Sequence, residues 1–521
     1  MMSLGSIHRR NAVLYPDKVA FRFGDATRTF GEYNERGARF ANALAGLGVG
    51  RGVPFAVMTR NCLEILDCYG AADKGGAILA PMNFRLTAVE LGPILTRLAP
   101  KAVVVQGPFV ELFKGLQSDG VLAGVTCIGF QTDSLPEGWL DLEELLAGAS
   151  TTEPVEPEPG DIAYVIYTSG TTGIPRAACL THGGQWAVAG TLALEMALVP
   201  TDVHFGLMPL YHGGGRAIQL SHTLRGATVI VNDGWETESV LRGLADHRIT
   251  TTQVVPTMVT WLLDRPDLPD YDLSALRLVW YASAPMPVAL LKRAIAAFGN
   301  VFMQGYGQTE AGPLVTAMHI YEHEVEGPNT ARLASCGRDA LNVELRIVDE
   351  TGNDVPRGEI GELAVRSPFI MTGYLKMPED TAAALRGGWL FTSDLGYQDS
   401  DGYVYLVDRK RDMVISGGEN IYPREIEEVL FQHPAVLEVA VIGVPDDVWG
   451  EAIKAYVVPK AAEGGRAAAE VIAELTAYCR ANLAGYKRPK SMEIIPELPK
   501  NPSGKILKTE FRKRAREAAQ D

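Results

Sequence analysis

The sequence predicts an α/β protein in two unequal parts. A large N-terminal domain has mainly parallel sheets sandwiched by helices, and a small α+β domain follows it. Three observations predict this. Short apolar runs alternate with stretches of helical spacing through most of the chain, and the pattern changes from about residue 410. The chain has 521 residues, whereas single cores stop growing near roughly 250–300. Its residues are 47% hydrophobic and 21% charged, an ordinary globular composition.

The elements follow in order. Phe30, Tyr33, Phe40, Ala43 and Leu47 recur at helical spacing, and Gly48 and Gly50 are stop signals. PFAVMTRN (54–61) reads as a strand and 64–74 as a second helix. AVVVQ (102–106), ATVIVN (227–232) and LRLVWYAS (276–283) continue the alternation. Short buried strands between helices call for parallel pairing. Residues 131–160 are rich in Pro, Glu, Thr and Ser and read as a surface connection. Near the end come a helix at 424–432, strands at 436–443 and 452–459, a helix at about 466–483 and a short strand, MEII. The charged stretch 408–412 marks the junction, which gives units 1–409 and 410–521. The basic end, KTEFRKRAREAA, reads as a solvated last helix.

Asp plus Glu number 63 against 48 Lys plus Arg, a net charge of -15. Such a surface repels phosphate polymers, so nucleic acid is not an expected partner. A local basic pocket for a small phosphate compound remains compatible with it. Cys62, Cys68, Cys127, Cys179, Cys336 and Cys479 form no CxxC pair and read as buried free thiols. The first residues lack a secretory apolar run, and no stretch approaches the ~20 apolar residues of a membrane helix. A cytoplasmic protein with no integral membrane segment is expected. A homodimer stays open.

Four motifs carry chemistry. The first is Thr168, Ser169, Gly170, Thr171, Thr172 and Gly173, after the strand-like DIAYVIY, with Arg176 beyond it. Small residues expose backbone N–H groups that can wrap phosphate oxygens, and Arg176 adds a cation. By itself, this composition favours a surface turn. The second is Gln304, Gly305, Tyr306, Gly307, Gln308, Thr309 and Glu310. A hydroxyl beside a carboxylate can hold a phosphate and its Mg²⁺, and an aromatic ring can stack on a base. The third is WLFTSD, ending at Asp394, followed by Asp408, Arg409, Lys410, Arg411 and Asp412. A carboxylate at a strand end can accept ribose hydroxyls, though 408–412 alone reads as a solvated charge run. The fourth is PKNPSGK, whose turn presents Lys505.

Together, in this order, the four resemble the adenylate-forming superfamily of acyl-CoA synthetases, luciferases and peptide-synthetase adenylation domains. The resemblance runs from about Ala12 to Arg512 and includes ISGGENIYPREIE, the stretch Pro209 to His212, and Ser283, Ala284 and Pro285. It implies an ATP-dependent acid–CoA ligase, with Mg²⁺, ATP and coenzyme A as its cofactors. Such enzymes make an acyl adenylate, then a thioester, releasing pyrophosphate and AMP. By the same resemblance, residues 168–173 cradle the β- and γ-phosphates, and Thr309 meets the α-phosphate. Glu310 and Thr168 hold Mg²⁺. Tyr306 and Ser283 to Pro285 sandwich adenine. Asp394 binds the ribose, with Arg409 nearby. Lys505 reaches both the carboxylate and the α-phosphate. A mobile C-terminal domain swings about Arg411, bringing Gly417 and Gly418 to a thiol tunnel. His212 gates the acyl site.

Two positions depart from the pattern. Arg176-Ala177 replaces the usual Lys-Gly, which keeps the charge but not the compact ammonium; weaker ATP binding is expected. Gln308 stands where relatives often carry Met, Ala or Ser. The acyl pocket implied is Tyr211, Gly213, Gly214, Gly215, Pro313 and Leu314. The three glycines read equally as room for a ring or a long chain and as a plain backbone turn. GYGQTEAGP resembles the branch of coumarate- and fatty-acid-type ligases, leaving aromatic and medium-to-long aliphatic acids both open. Arg216 is either a partner for a second carboxylate or a structural or surface arginine. The competing functions are a ligase that loads an acyl carrier protein and a nucleotide-binding homologue without catalysis.

Overall fold

The computed structural model describes residues 3–168, 175–410, 412–416, 419–446, 449–460, 466–500 and 506–518. Within these the fold is mixed α/β, with a large N-terminal domain and a smaller C-terminal one. An eight-stranded sheet has a parallel centre made of Pro54–Met58, Ile78–Met82, Ala102–Gln106, Thr126–Phe130 and Ile162–Thr168. Arg176–Thr181 pairs antiparallel with Ile162–Thr168, Thr168 opposite Arg176, and Gly373–Tyr374 closes that edge. A nine-stranded sheet runs parallel through Val203–Gly206, Thr228–Val231, Thr251–Val254, Leu278–Tyr281 and Phe302–Tyr306.

The helix read at 30–47 runs Phe30–Gly46, opened by a capping box in which Thr29 and Glu32 satisfy each other's backbone N–H. Phe30, Tyr33 and Phe40 are buried on its inner face. The strands read at 102, 227 and 276 form as Ala102–Gln106, Thr228–Val231 and Leu278–Tyr281. All six cysteines are buried and unpaired. Among the described residues no helix is long and apolar enough to cross a membrane.

Two parts differ from the sequence reading. Residues 131–160 are not all surface: Leu140–Asp141 adds a strand and Leu142–Ala147 a helix, with Leu142 and Leu146 buried. The spacing of these two leucines is helical, but the Pro- and Glu-rich flanks mask it. A third, antiparallel sheet also joins Glu344–Val348, Gly361–Arg366, Leu385–Arg386, Trp389–Gln398 and Val404–Arg409. Residues 361–365 are buried throughout, while along 389–394 buried positions alternate with more exposed ones.

Beyond residue 412 a five-stranded sheet forms around the long pair Val436–Asp446 and Gly450–Pro459. Helices Pro423–Phe431 and Ala468–Asn482 pack on it. The basic last helix, Lys508–Ala518, is less solvated than its composition predicts. Phe511 is buried and stacks on Tyr456, ring centroids 4.0 Å apart.

Candidate active site

The site residues gather where strand ends and connecting loops meet. Ile162–Thr168 delivers Thr168, whose Oγ1 donates to Glu310 Oε1 at 3.1 Å. Tyr374 O–H donates to the same oxygen at 3.0 Å. Glu310 sits in a one-turn helix, Thr309–Ala311, and both it and Thr309 are buried. Two hydroxyls thus orient one carboxylate and leave it able to accept further cationic partners. Ser169, Gly170, Thr171, Thr172 and Gly173 lie outside the described residues. Arg176, the expected phosphate cation, pairs with Asp380 at 2.9 Å, its guanidinium 5.4 Å from the Tyr374 ring centre. Tyr374 and Asp380 are parts of the site that sequence reasoning missed; neither lies in a motif of distinctive composition.

Asp394 is aimed by a bulge. In Trp389–Gln398 the register against Gly361–Arg366 shifts, and Ser393 takes a left-handed φ of 61°. Glu362 accepts the Ser393 N–H at 2.9 Å, while Thr392 Oγ1 donates to the Leu363 carbonyl at 2.9 Å and accepts the Asp394 N–H at 3.1 Å. Bulges re-aim side chains in this way. Asp394 then accepts the Tyr306 hydroxyl at 2.7 Å and pairs with Arg409 Nε at 3.2 Å. Burial, then the Asp394 charge, pushes the Tyr306 phenol well above its usual range, so it stays a donor. A second left-handed residue, Ser283 (φ 71°), turns the chain after Leu278–Tyr281 into Ala284 and Pro285. Residues outside glycine adopt this conformation rarely, and such strain concentrates at functional sites.

A cavity of about 350 Å³ opens between these parts. Ser283, Tyr306 and Asp394 line it from the large domain, and Arg424, Lys500 and Lys508 from the small one. Gln304, Gly305 and Gly307 also border it. The Gln304 carboxamide oxygen accepts the Tyr281 hydroxyl at 3.2 Å. Lys508 pairs with Glu427 at 2.7 Å, and Arg512 with Asp412 at 2.8 Å. Lys505, Arg411, Gly417 and Gly418 lie outside the described residues.

The expected acyl pocket sorts into separate parts. His212 caps helix Gly213–Arg225, its Nδ1 accepting the Gly214 N–H at 3.2 Å. A Cβ on Gly213 would lie 3.4 Å from Thr309, so the helix start and the Thr309 turn are in contact. The glycines form a helix start, not a loose turn. Gly215 has a packing reason of its own: a Cβ there would fall 2.5 Å from the Pro209 carbonyl oxygen. Tyr211 sets its ring edge-on to Phe84, centroids 5.7 Å apart. Leu314 is buried in the core, and the Pro313 carbonyl crowds Gly307, where a Cβ would lie 2.0 Å from it. Trp280, absent from the sequence reading of the pocket, lies across Gly305: a Cβ there would fall 1.8 Å from its Cζ2.

Arg216 is neither a surface residue nor placed for a second substrate carboxylate. It is 1% exposed and donates to Asp73 at 2.7 Å and to the Tyr164 hydroxyl at 2.6 Å. Asp73 also meets His8 at 2.7 Å. This makes Arg216 a structural arginine.

A nucleotide-sized cleft, a strand-end carboxylate beside an arginine, and a buried Thr-Glu pair define a two-domain nucleotide-using α/β protein. The sequence profile of the AMP-binding enzyme family matches residues 8–375, and that of its C-terminal domain matches 425–505. The chain belongs to the AMP-binding enzyme family. It is 37% identical over 518 residues to a feruloyl-CoA synthase from Amycolatopsis sp., covering 98% of this chain and 99% of that one. It is 33% identical to a medium/long-chain-fatty-acid–CoA ligase from Mycobacterium tuberculosis, covering 97% and 89%. The crystal structure of the anthranilate CoA ligase AuaEII in complex with anthranoyl-AMP superposes with a TM-score of 0.90 at 28% identity, covering 100% and 98%.

Proposed function

We propose that this chain is an AMP-forming acid–CoA ligase acting on an aromatic carboxylic acid. The observation that carries it is a pair of differently held carboxylates, Asp394 lining the cavity and Glu310 in the turn that follows Phe302–Tyr306. Asp394 is paired with Arg409 and hydrogen-bonded by Tyr306, as suits a ribose. Glu310 is held by two hydroxyls, as suits a cation. One carboxylate and one hydroxyl fit Mg²⁺, which takes hard oxygen ligands and keeps positions for phosphate oxygens and water. When bound there, the ion would draw charge from the phosphates.

The two reactants are both anions, so neutralisation comes before chemistry. The backbone amides of 168–173, Arg176 and Lys505 supply it, and Thr309 orients the α-phosphate. The acid's oxygen attacks the α-phosphorus and pyrophosphate leaves. Tyr306 and Ser283 to Pro285 hold the adenine. Coenzyme A then attacks the activated carbonyl through its thiolate and AMP departs. We divide the chain at 409/410 and assign Lys505 to the first step and Gly417 and Gly418 to the second. Six buried, unpaired thiols support a reducing, cytoplasmic setting.

An aromatic acid is favoured because the Trp280 indole occupies the space a side chain at 305 would need, giving the acyl side of the sheet a flat aromatic wall. The test is ATP- and CoA-dependent AMP release with a panel of arylpropenoic, arylacetic, benzoic and C8–C16 fatty acids. Aromatic acids should lead by at least about tenfold in kcat/KM, about 1.4 kcal/mol. Fatty acids in the lead would replace the substrate assignment, and no AMP with any acid would remove the activity. Lys505→Ala should lose adenylation yet keep thioester formation from a supplied acyl adenylate.

A further inference from the structure

Strand Thr251–Val254 places alternate side chains on opposite faces. Thr251 turns toward helix Gly213–Arg225, where its Oγ1 meets His222 at 2.8 Å. Gln253 shares that face, and in register it pairs with Trp280 on the neighbouring strand. Gln253 is 3% exposed, none of the described residues hydrogen-bonds its carboxamide, and its amide atoms keep contact with open space. Buried amides are almost always satisfied, because an unmade hydrogen bond costs the full desolvation of the group.

The amide points at a glycine. Its Nε2 lies 3.7 Å from where a Cβ of Gly214 would stand, and the other atoms near that point belong to the His212 imidazole, at 3.5 and 3.8 Å. Gly214 thus leaves room for a methyl-sized group between two polar groups, one residue from Gly213, which touches Thr309. Here the group facing Gln253 is a glycine, and the indole of Trp280 stands alongside.

We propose that Gln253 is a specificity-determining residue. Its carboxamide hydrogen-bonds an oxygen substituent on the ring of the acid, in the space left by Gly214, while Trp280 flanks the ring. This rests on the aromatic-acid reading above and narrows it to oxygen-substituted aromatic acids. A site whose buried polar group needs a partner rejects the analogue that lacks one.

The test compares 4-hydroxycinnamate with cinnamate by ATP–pyrophosphate exchange. The wild type should prefer the hydroxylated acid by about 10- to 100-fold in kcat/KM. Gln253→Met, unbranched and of similar volume, should bring that ratio within about threefold of unity, mainly by loss of the hydroxylated acid. Gly214→Ala, which suits a helix start and so guards against a misfolded Met variant, should also lower the ratio by filling that space. A ratio unchanged in both variants overturns the assignment of Gln253 and leaves the ligase reading intact. A wild type that exchanges pyrophosphate with fatty acids but with neither cinnamate overturns both.

Discussion

At the scale of single residues, missing side chains shape this site as much as present ones. Gly305 yields its space to Trp280, Gly307 to the Pro313 carbonyl and Gly215 to the Pro209 carbonyl. Each approach is too close for a Cβ, so these positions are set by packing rather than by chemistry. Gly305→Ala puts a methyl 1.8 Å from an indole carbon. Overpacking of this kind typically costs about 1–3 kcal/mol. Thermal unfolding should show that loss, and the displaced indole should change the order of preferred acids. Trp280→Val in the same chain should return most of the stability. The glycines were legible in the sequence as glycines, but what each one faced was not, because every partner lies on another strand or turn.

At the scale of elements, one buried charge cluster fastens the site's supports. Asp73 of Leu63–Gly75 meets His8 of Leu4–Leu14, Arg216 of Gly213–Arg225 and Tyr164 of Ile162–Thr168. The last two elements carry His212 and Thr168 at their ends. Burial alone would raise the Asp73 carboxyl, but the Arg216 charge and the His8 hydrogen bond outweigh it and hold it at about 2, below its ordinary 3.8. A depressed carboxyl contributes stability that is present above its unfolded value and lost as pH falls through its folded value. Urea unfolding of the wild type should therefore lose stability from about pH 4 downward to about pH 2. Asp73→Asn should cost about 3–5 kcal/mol at pH 7, since it strands the Arg216 charge, and should flatten that acid limb. An acid limb as steep as that of the wild type would show that other carboxyls carry it.

At the scale of the whole molecule, two half-reactions make opposite demands on one cleft. On the proposed assignment of Lys505, the first needs an ammonium between two anions, and the second needs that place for a thiol. The cavity is walled by both domains, and the junction is tied on the small-domain side: Arg424 N–H and Asp408 at 3.2 Å, Arg512 and Asp412 at 2.8 Å. We assign the rotation between half-reactions to Arg411, between these ties. Proline fixes φ and removes a donor, so Arg411→Pro should spare pyrophosphate exchange and slow thioester release at least about tenfold, a barrier increase of about 1.4 kcal/mol. Equal loss of both rates would place the hinge elsewhere.

The sequence by itself determined the α/β alternation, the small domain that follows, the order of the four motifs, and the class of chemistry. These are carried by local periodicity and by contiguous residues, which survive reading in one dimension. Only the tertiary structure decided that Arg216 is a core ion, that Tyr374 shares Glu310 with Thr168, and that Gln253 faces Gly214 beside Trp280. Tyr374 and Glu310 are 64 residues apart, Arg216 and Asp73 143. Each pair joins elements with several strands and helices between them in the chain, so no spacing rule could pair them.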